Sequence, residues 1–158
     1  MARIYDNIEV KFKEGLQGIM TSGGVERVDF CVGYFNLRGW NMIVNQVDEL
    51  SGGYVYENDE QKYRVCRLLV GMHRPPEELI RNIYGQSKNY VDSDYANKCK
   101  LQIAVEFKKQ LLIGLPTKQD EWTLRRLSTQ LKDGKVVVKL YLKEPLHAKL
   151  YLAYRPSD

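Results

Sequence analysis

A histidine and a lysine stand two residues apart in an apolar stretch near the end of the chain, Leu146-His147-Ala148-Lys149-Leu150-Tyr151-Leu152. Side chains alternate between the faces of a strand, so His147, Lys149 and Tyr151 should share one face, while the leucines form the core face. The histidine and lysine would then stand roughly 7 Å apart, a spacing that holds one phosphate. An imidazole can attack phosphorus or transfer a proton, and an ammonium group can neutralise a phosphate oxygen. The stretch therefore predicts one half of a phosphodiesterase site.

His147-Ala148-Lys149 resembles the H-x-K motif of the phospholipase D superfamily. The longer wording Leu-His-Ala-Lys-Leu-Tyr-Leu is similar to the nuclease-like domains at the N-terminus of bacterial Swi/Snf-type superfamily-two helicases. The resemblance extends from Tyr5-Asp6-Asn7 through Gly33-Tyr34-Phe35 to the motif. It implies that His147 forms a phosphohistidine or donates a proton, and that Lys149 binds the phosphate.

The same resemblance implies a metal-independent phosphodiesterase of the nuclease type, without a cofactor, that acts on nucleic acid, with DNA as the first candidate. It further implies a helicase motor domain in the same full-length protein, of which these 158 residues are the front part. Phospholipid hydrolysis is the least favoured substrate class, because no amphipathic segment rich in exposed aromatic residues stands out.

Family chemistry needs a second imidazole across the phosphorus. The only other histidine in the sequence is His73, which is not part of an H-x-K motif. We therefore expect a second H-x-K half, supplied by a two-fold homodimer or by sequence outside this chain. Tyr154 stands where the family motif has an aspartate, and the Gly-Ser/Thr-x-Asn part of the motif is missing. A catalytically inactive nucleic-acid-binding module of a helicase is thus the alternative function, and a protein-interaction domain is a third.

The charge distribution favours anionic partners. The net charge is +4, and residues 118–149 hold eight basic residues against four acidic ones, a surplus equal to that of the whole chain. Five further residues are candidates for phosphate or nucleic-acid binding because they follow predicted strands or lie in this basic region: Asn36, Arg74, Arg125, Arg126 and Lys139. A solvated basic face or an ordinary loop is the competing interpretation of each.

Cysteine usage and hydropathy exclude several classes of protein. The three cysteines, Cys31, Cys66 and Cys99, are scattered and odd in number, which is typical of reduced residues in a cytoplasmic protein. There is no C-x-x-C and no histidine pair at helical spacing, so we expect no metal site. The first residues lack an apolar signal segment and no run is long enough to cross a bilayer, which predicts a soluble cytoplasmic protein.

Hydrophobic periodicity predicts the order of the elements. The expected elements are a helix over 12–20, a strand over 28–35, a helix over 40–50, a polar loop over 52–62, a strand over 63–71, a helix after Pro75-Pro76, a helix over 101–115, a helix from the N-cap Thr117 to Gly134, and strands over 136–143 and 146–152. Apolar strands that alternate with helices indicate an α/β protein with a parallel sheet.

The sequence therefore predicts a single domain over residues 1–158. Its sheet should be mixed and mainly parallel, and should end in an antiparallel hairpin made by the last two strands across Lys143-Glu144-Pro145. Helices are expected on both faces of the sheet. This order of elements is similar to one half of the phospholipase D fold.

Overall fold

The computed structural model describes residues 11–71, 117–141 and 146–156, together with five helical positions, Leu101, Ala104, Val105, Lys108 and Lys109. The elements are α1 (Phe12–Thr21), β1 (Arg27–Val32), α2 (Leu37–Asn41), α3 (Val44–Glu49), β2 (Gly53–Glu57), β3 (Glu60–Arg64), β4 (Cys66–Val70), α4 (Lys118–Lys132), β5 (Val136–Leu140) and β6 (Lys149–Tyr154). The helix predicted after Pro75-Pro76, and most of the one over 101–115, lie outside the described residues. None of the described helices is long and apolar enough to cross a membrane.

Four strands form the main sheet in the order β5-β4-β1-β6. β5, β4 and β1 are parallel neighbours, and β6 runs antiparallel to β1 with Lys149 opposite Val32 and Leu150 opposite Cys31. The predicted α/β class with a mixed, mainly parallel sheet is therefore confirmed.

The last two strands do not form the predicted hairpin, because β5 and β6 occupy opposite edges of the sheet. β5 follows α4 and pairs parallel with β4, as a strand that returns from a crossover helix does. This placement buries Val136 completely and packs Val138 against the core. The remaining edge, beside β1, is the one that β6 takes.

An antiparallel hairpin does exist, but it is formed by β2 and β3, which occupy most of the predicted loop over 52–62. β3 also includes Tyr63 and Arg64, so the strand predicted over 63–71 is divided between β3 and β4. The two turn residues of the hairpin, Asn58 and Asp59, have φ values of 52° and 64°. Positive φ at both central positions is typical of a two-residue hairpin turn, and Asn and Asp are among the residues that tolerate it. The hairpin leaves Tyr54 and Tyr56 exposed on one face and buries Val55 and Glu57 on the other.

One face of the sheet carries the core. Side chains of alternate strand residues, among them Val28, Phe30 and Leu68, pack in one cluster with apolar residues of α1, α2, α3 and α4. The helix predicted over 40–50 is divided into α2 and α3 near Met42, yet its apolar stripe is buried as predicted. Within the core, the Trp40 indole donates a hydrogen bond to Gln130 Oε1 at 3.1 Å, which joins α2 to α4.

The face of β6 that packs on the core is the opposite of the one predicted. The Tyr151 ring contacts Phe12 of α1 and Phe30 of β1, with ring centroids 4.9 and 5.2 Å away. Leu150 and Leu152 are 51% and 40% exposed. Because α1 crosses the sheet on the tyrosine side, the larger aromatic surface is buried there. The leucines instead border an open hollow of about 210 Å³ whose described lining comes from the four strands alone.

Local signals placed α4 correctly. Thr117 is its N-cap, and the Thr117 hydroxyl and the Asp120 carboxylate each accept a hydrogen bond from the other's backbone amide. This reciprocal capping box satisfies two amides that have no partner inside the helix. After the helix, Gly134 adopts a φ of 68°, which supports its predicted role as the stop.

Candidate functional site

The carboxyl ends of β1 and β4 and the start of β6 lie at the same end of the sheet. Gly33, just after β1, donates its amide to the carbonyl of Ala148 at 2.8 Å, and Leu146 donates its amide to the carbonyl of Gly71, just after β4, at 2.9 Å. These two bonds hold the segment between Leu146 and Ala148 from both sides. They therefore position His147 at the carboxyl ends of the parallel strands, where α/β sheets usually bind ligands.

His147 lies immediately before β6 and is exposed to solvent. Its ring meets that of Tyr34 edge to face, with centroids 6.4 Å apart and planes at 80°. Tyr34 is 64% exposed. It follows the glycine that ends the first apolar strand, and it was not among the predicted site residues. The signal available in the sequence was an aromatic residue directly after the glycine that ends an apolar run.

Lys149 is the first residue of β6 and is also exposed. The bond between Gly33 and Ala148 continues the β1–β6 ladder beyond Lys149, so alternation places His147 and Lys149 on the same side of the sheet, together with Tyr151. The predicted shared face of these three residues therefore agrees with the structure. Lys149 also borders a groove of about 310 Å³ between α1 and β6.

Asn36 belongs to the same end of the sheet. It is the N-cap of α2, and its Oδ1 accepts a hydrogen bond from the Gly39 amide at 2.8 Å. Asn36 lines a hollow of about 130 Å³ together with Tyr34 and Tyr151. Burial raises the pKa of the Tyr151 phenol, so this group remains protonated. Asn36 therefore shares this hollow with Tyr34, whose ring contacts His147, and with Tyr151, which lies two residues after Lys149 on β6.

The other predicted candidates lie elsewhere. Arg125 and Arg126 are on the exposed side of α4, where Arg125 pairs with Glu121 at 2.7 Å and Arg126 pairs with Asp48 of α3. Both arginines are therefore already engaged with carboxylates. Arg74, like His73, lies outside the described residues.

Lys139 is on the opposite face of the sheet from His147 and Lys149. It stands opposite Leu69 in the β4–β5 pair and lines the 210 Å³ hollow with Arg67. Because side chains alternate between the two faces along a strand, the thickness of the sheet separates Lys139 from the side chains on the other face. Lys139 and His147 therefore do not share a site in this chain.

That opposite face contains a charge cluster that the sequence analysis missed. Arg67 donates to both oxygens of Asp29, with its Nε 2.9 Å from Oδ1, and Arg27 donates to Oδ2 at 2.8 Å. Burial by itself favours the neutral acid, but these hydrogen bonds and the two positive charges hold the pKa of Asp29 below its usual value. The Arg27 guanidinium also stacks on the Tyr154 ring, 3.6 Å from its centre. This cluster ties β1 to β4 and β6.

A second buried pair anchors the hairpin. The Glu57 side chain is 7% exposed and accepts a hydrogen bond from Arg64 at 3.2 Å. Arg64 also donates to the carbonyl of Gly134 at 2.8 Å, which ties β3 to the start of β5. Burial raises the pKa of Glu57, but the hydrogen bond and charge of Arg64, together with the charges of Lys139 and Arg67, outweigh that effect and lower the net pKa. These charges serve the packing of β2 and β3 against the sheet.

Metal-ligating side chains do not converge in the part of the chain that the structure describes, where His, Cys, Asp and Glu form no group of three able to hold an ion. Cys66 is fully buried, which raises the pKa of its thiol and leaves it protonated.

Protein-family models, curated proteins and solved structures give no match to this chain. The chemistry of the site therefore has to be argued from its own residues.

Proposed function

We propose that this domain is one half of a metal-independent phosphodiesterase of the nuclease type, acting on nucleic acid. The observation that carries the proposal is the placement of two exposed side chains, His147 and Lys149, on one side of β6 at the carboxyl ends of β1 and β4. A phosphate at this end of the sheet meets a nucleophile and a cation together. The net charge of +4 favours a polyanion as the substrate.

The proposed reaction has two displacements at phosphorus. A neutral imidazole of His147 attacks, the P–O bond to the leaving sugar oxygen breaks, and that oxygen takes a proton from an opposing acid. Water then attacks the phosphohistidine, giving up its proton to the same opposing group, and the P–N bond breaks to release the phosphomonoester. Lys149 neutralises a non-bridging oxygen in both steps.

The opposing group has to come from a second H-x-K half. A two-fold homodimer supplies one automatically, because an isologous interface repeats every residue; His147 is then nucleophile in one copy and proton donor in the other. The wider proposal, which follows the resemblance, is one half of a phospholipase D-like fold with helices on both faces of the sheet. It also includes a helicase motor in the same full-length protein and DNA as the polymer that is bound.

The test is cleavage of an end-labelled DNA oligonucleotide in excess EDTA. We expect products with the unchanged protein and at least a hundredfold slower cleavage with His147→Ala and with Lys149→Ala, because each removes a group that acts at phosphorus. Tyr56→Ala is the matched control, since Tyr56 is 77% exposed on the β2–β3 hairpin. Undiminished cleavage by His147→Ala would exclude this chemistry. If the dimer completes the site, the specific rate rises with protein concentration.

Binding without cleavage is the second candidate, and two observations favour it. His147 is the only histidine within the described residues, and Tyr154, which replaces the motif aspartate, packs under the Arg27 guanidinium. This candidate predicts salt-sensitive DNA binding with no products in the cleavage assay. Each phosphate contact contributes about 0.9 to the slope of log K against log salt concentration. Lys149→Ala should therefore reduce the magnitude of the slope by about 0.9, the value of one contact. It should weaken binding equally for all DNA sequences.

A further inference from the structure

An uncharged hollow of about 130 Å³ is lined in part by Tyr34, whose ring contacts that of His147. Its walls are largely aromatic, and include Tyr34, Phe35, Trp40 and Tyr151. None of its described lining residues carries a formal charge. Aromatic walls with a few polar groups are typical of sites for planar organic ligands. The hollow therefore suits a neutral ring.

The hollow and the proposed phosphate site are adjacent. Tyr34 lines the hollow and also contacts the His147 ring. Val32, another lining residue, stands opposite Lys149 in the β1–β6 pair. A ligand whose ring enters the hollow can thus keep its phosphate between the histidine and the lysine, as a nucleotide does.

Two features of the hollow restrict the ring. A cavity of roughly 150 Å³ in a protein core holds one benzene ring, so 130 Å³ corresponds to a single six-membered ring. The Asn36 side chain uses Oδ1 to cap α2, and no described residue accepts from its Nδ2. The free amide hydrogens therefore select a ring that carries a hydrogen-bond acceptor. Pyrimidine bases carry a carbonyl oxygen at position 2 and meet both conditions.

We propose that this hollow binds an unpaired pyrimidine base of the nucleotide whose phosphate lies at His147 and Lys149. The inference rests on the proposed function, because it assigns the ring that is attached to that phosphate. Tyr34 stacks against the base, and Asn36 Nδ2 donates a hydrogen bond to the base carbonyl. A base inside a duplex cannot enter the hollow, so the substrate is single-stranded or locally unpaired.

The first measurement compares single-stranded oligonucleotides of equal length by fluorescence anisotropy, with oligo-dT, oligo-dA and an abasic oligomer of the same charge. Removal of one base–aromatic stack weakens binding about tenfold. We expect the order dT, then dA, then abasic, with about tenfold between the first and the last. Equal affinity for all three would overturn the base site, even if Lys149→Ala weakens every oligomer.

Variants locate the effect. Tyr34→Ala should abolish the preference for dT over the abasic oligomer, while Tyr34→Phe should keep it, because the stacking ring remains. Asn36→Ser retains a side chain able to cap α2 but loses the amide donor, so it should reduce the preference for dT over dA. Tyr56→Ala, at an exposed tyrosine of the hairpin, should leave both preferences unchanged. Circular-dichroism melting confirms that each variant is folded.

A second probe separates failure of this inference from failure of the proposed function. Trp40 lines the hollow and is 1% exposed, so its fluorescence in a Trp122→Phe background reports on occupancy. Thymidine should quench it even though it has no phosphate, and Tyr34→Ala should prevent the quenching. If thymidine quenches the fluorescence but Lys149→Ala leaves the affinity for phosphate-bearing ligands unchanged, the base site alone is supported and the phosphodiesterase is rejected. No response to thymidine or its 5′-monophosphate would reject the base site.

Discussion

The backbone amide of Leu146 donates a hydrogen bond to the carbonyl of Gly71 at 2.9 Å. Gly71 is buried, and a Cβ placed on it would collide with the Leu146 carbonyl oxygen and side chain. Gly71 thus lets the chain at the end of β4 approach the segment that carries His147 more closely than a residue with a Cβ would allow. The position of the proposed nucleophile depends on this glycine.

Gly71→Ala is therefore expected to displace the segment before β6. DNA binding or cleavage should fall at least tenfold, while the protein stays folded with a destabilisation of about 1–3 kcal/mol, the usual range for overpacking. The measurement is the oligonucleotide assay together with urea unfolding. Gly18→Ala is the control, because nothing lies within 4 Å of its added Cβ and it sits inside α1. That change should raise stability by about 0.5–1 kcal/mol. Full activity in Gly71→Ala would contradict the prediction.

Asp29→Asn tests the charge cluster across β1 and β4. The amide retains the shape of the carboxylate but leaves Arg27 and Arg67 without their anionic partner, so we expect a loss of about 2–3 kcal/mol in the free energy of unfolding near pH 7. Chemical denaturation measures it. Glu60→Gln is a control, since Glu60 pairs with Lys62 at the surface, where such pairs contribute little. A variant as stable as the parent would show that the cluster is dispensable.

The same carboxylate predicts a dependence of stability on pH. Because the folded-state pKa of Asp29 is lowered, its stabilising effect is present above the unfolded pKa of about 3.9 and is lost as the pH falls through the lower folded value. Unfolding free energies measured between pH 6 and pH 2 should therefore fall less steeply for Asp29→Asn than for the parent. Parallel curves for the two proteins would argue against this assignment.

The β2–β3 turn gives a test through backbone conformation. Asp59 has a φ of 64°, so Asp59→Gly removes the energetic cost of a left-handed backbone at a residue with a side chain. The substitution should raise the free energy of unfolding by up to about 1 kcal/mol. Asn58→Val places a β-branched residue at a φ of 52° and should destabilise by about 1–2 kcal/mol. Thermal unfolding of both variants checks the opposite signs. Equal effects would mean that the turn has another conformation.

Thr117→Ala removes the capping box of α4. The loss of a threonine cap typically costs about 1 kcal/mol, and the Asp120 side chain loses its hydroxyl partner as well. Thr129→Ala is the matched control, because the Thr129 hydroxyl only bonds back to the Arg125 carbonyl within the same helix. That change should be neutral or slightly stabilising, since alanine has the higher helix propensity. Urea midpoints that shift equally in the two variants would refute the capping role.

Short-range patterns were enough to predict much of this protein. The stripe through Leu16 and Met20, the cap at Thr117 and the stop at Gly134 depend on residues within a few positions of one another, so α1 and α4 follow from the sequence. Strand alternation likewise determines that His147 and Lys149 share a face. It is a property of the backbone and needs no knowledge of the neighbours.

Only the tertiary structure decided which face of β6 is buried, since either Leu150 or Tyr151 could have met the core and the crossing of α1 selected the tyrosine. It also decided that β5 and β6 lie at opposite edges of the sheet, because strand pairing depends on residues far apart in the chain. The meeting of Tyr34 with His147, across more than a hundred residues, has the same origin. Alternation along a strand is local, whereas the choice of partner across the sheet is made by packing.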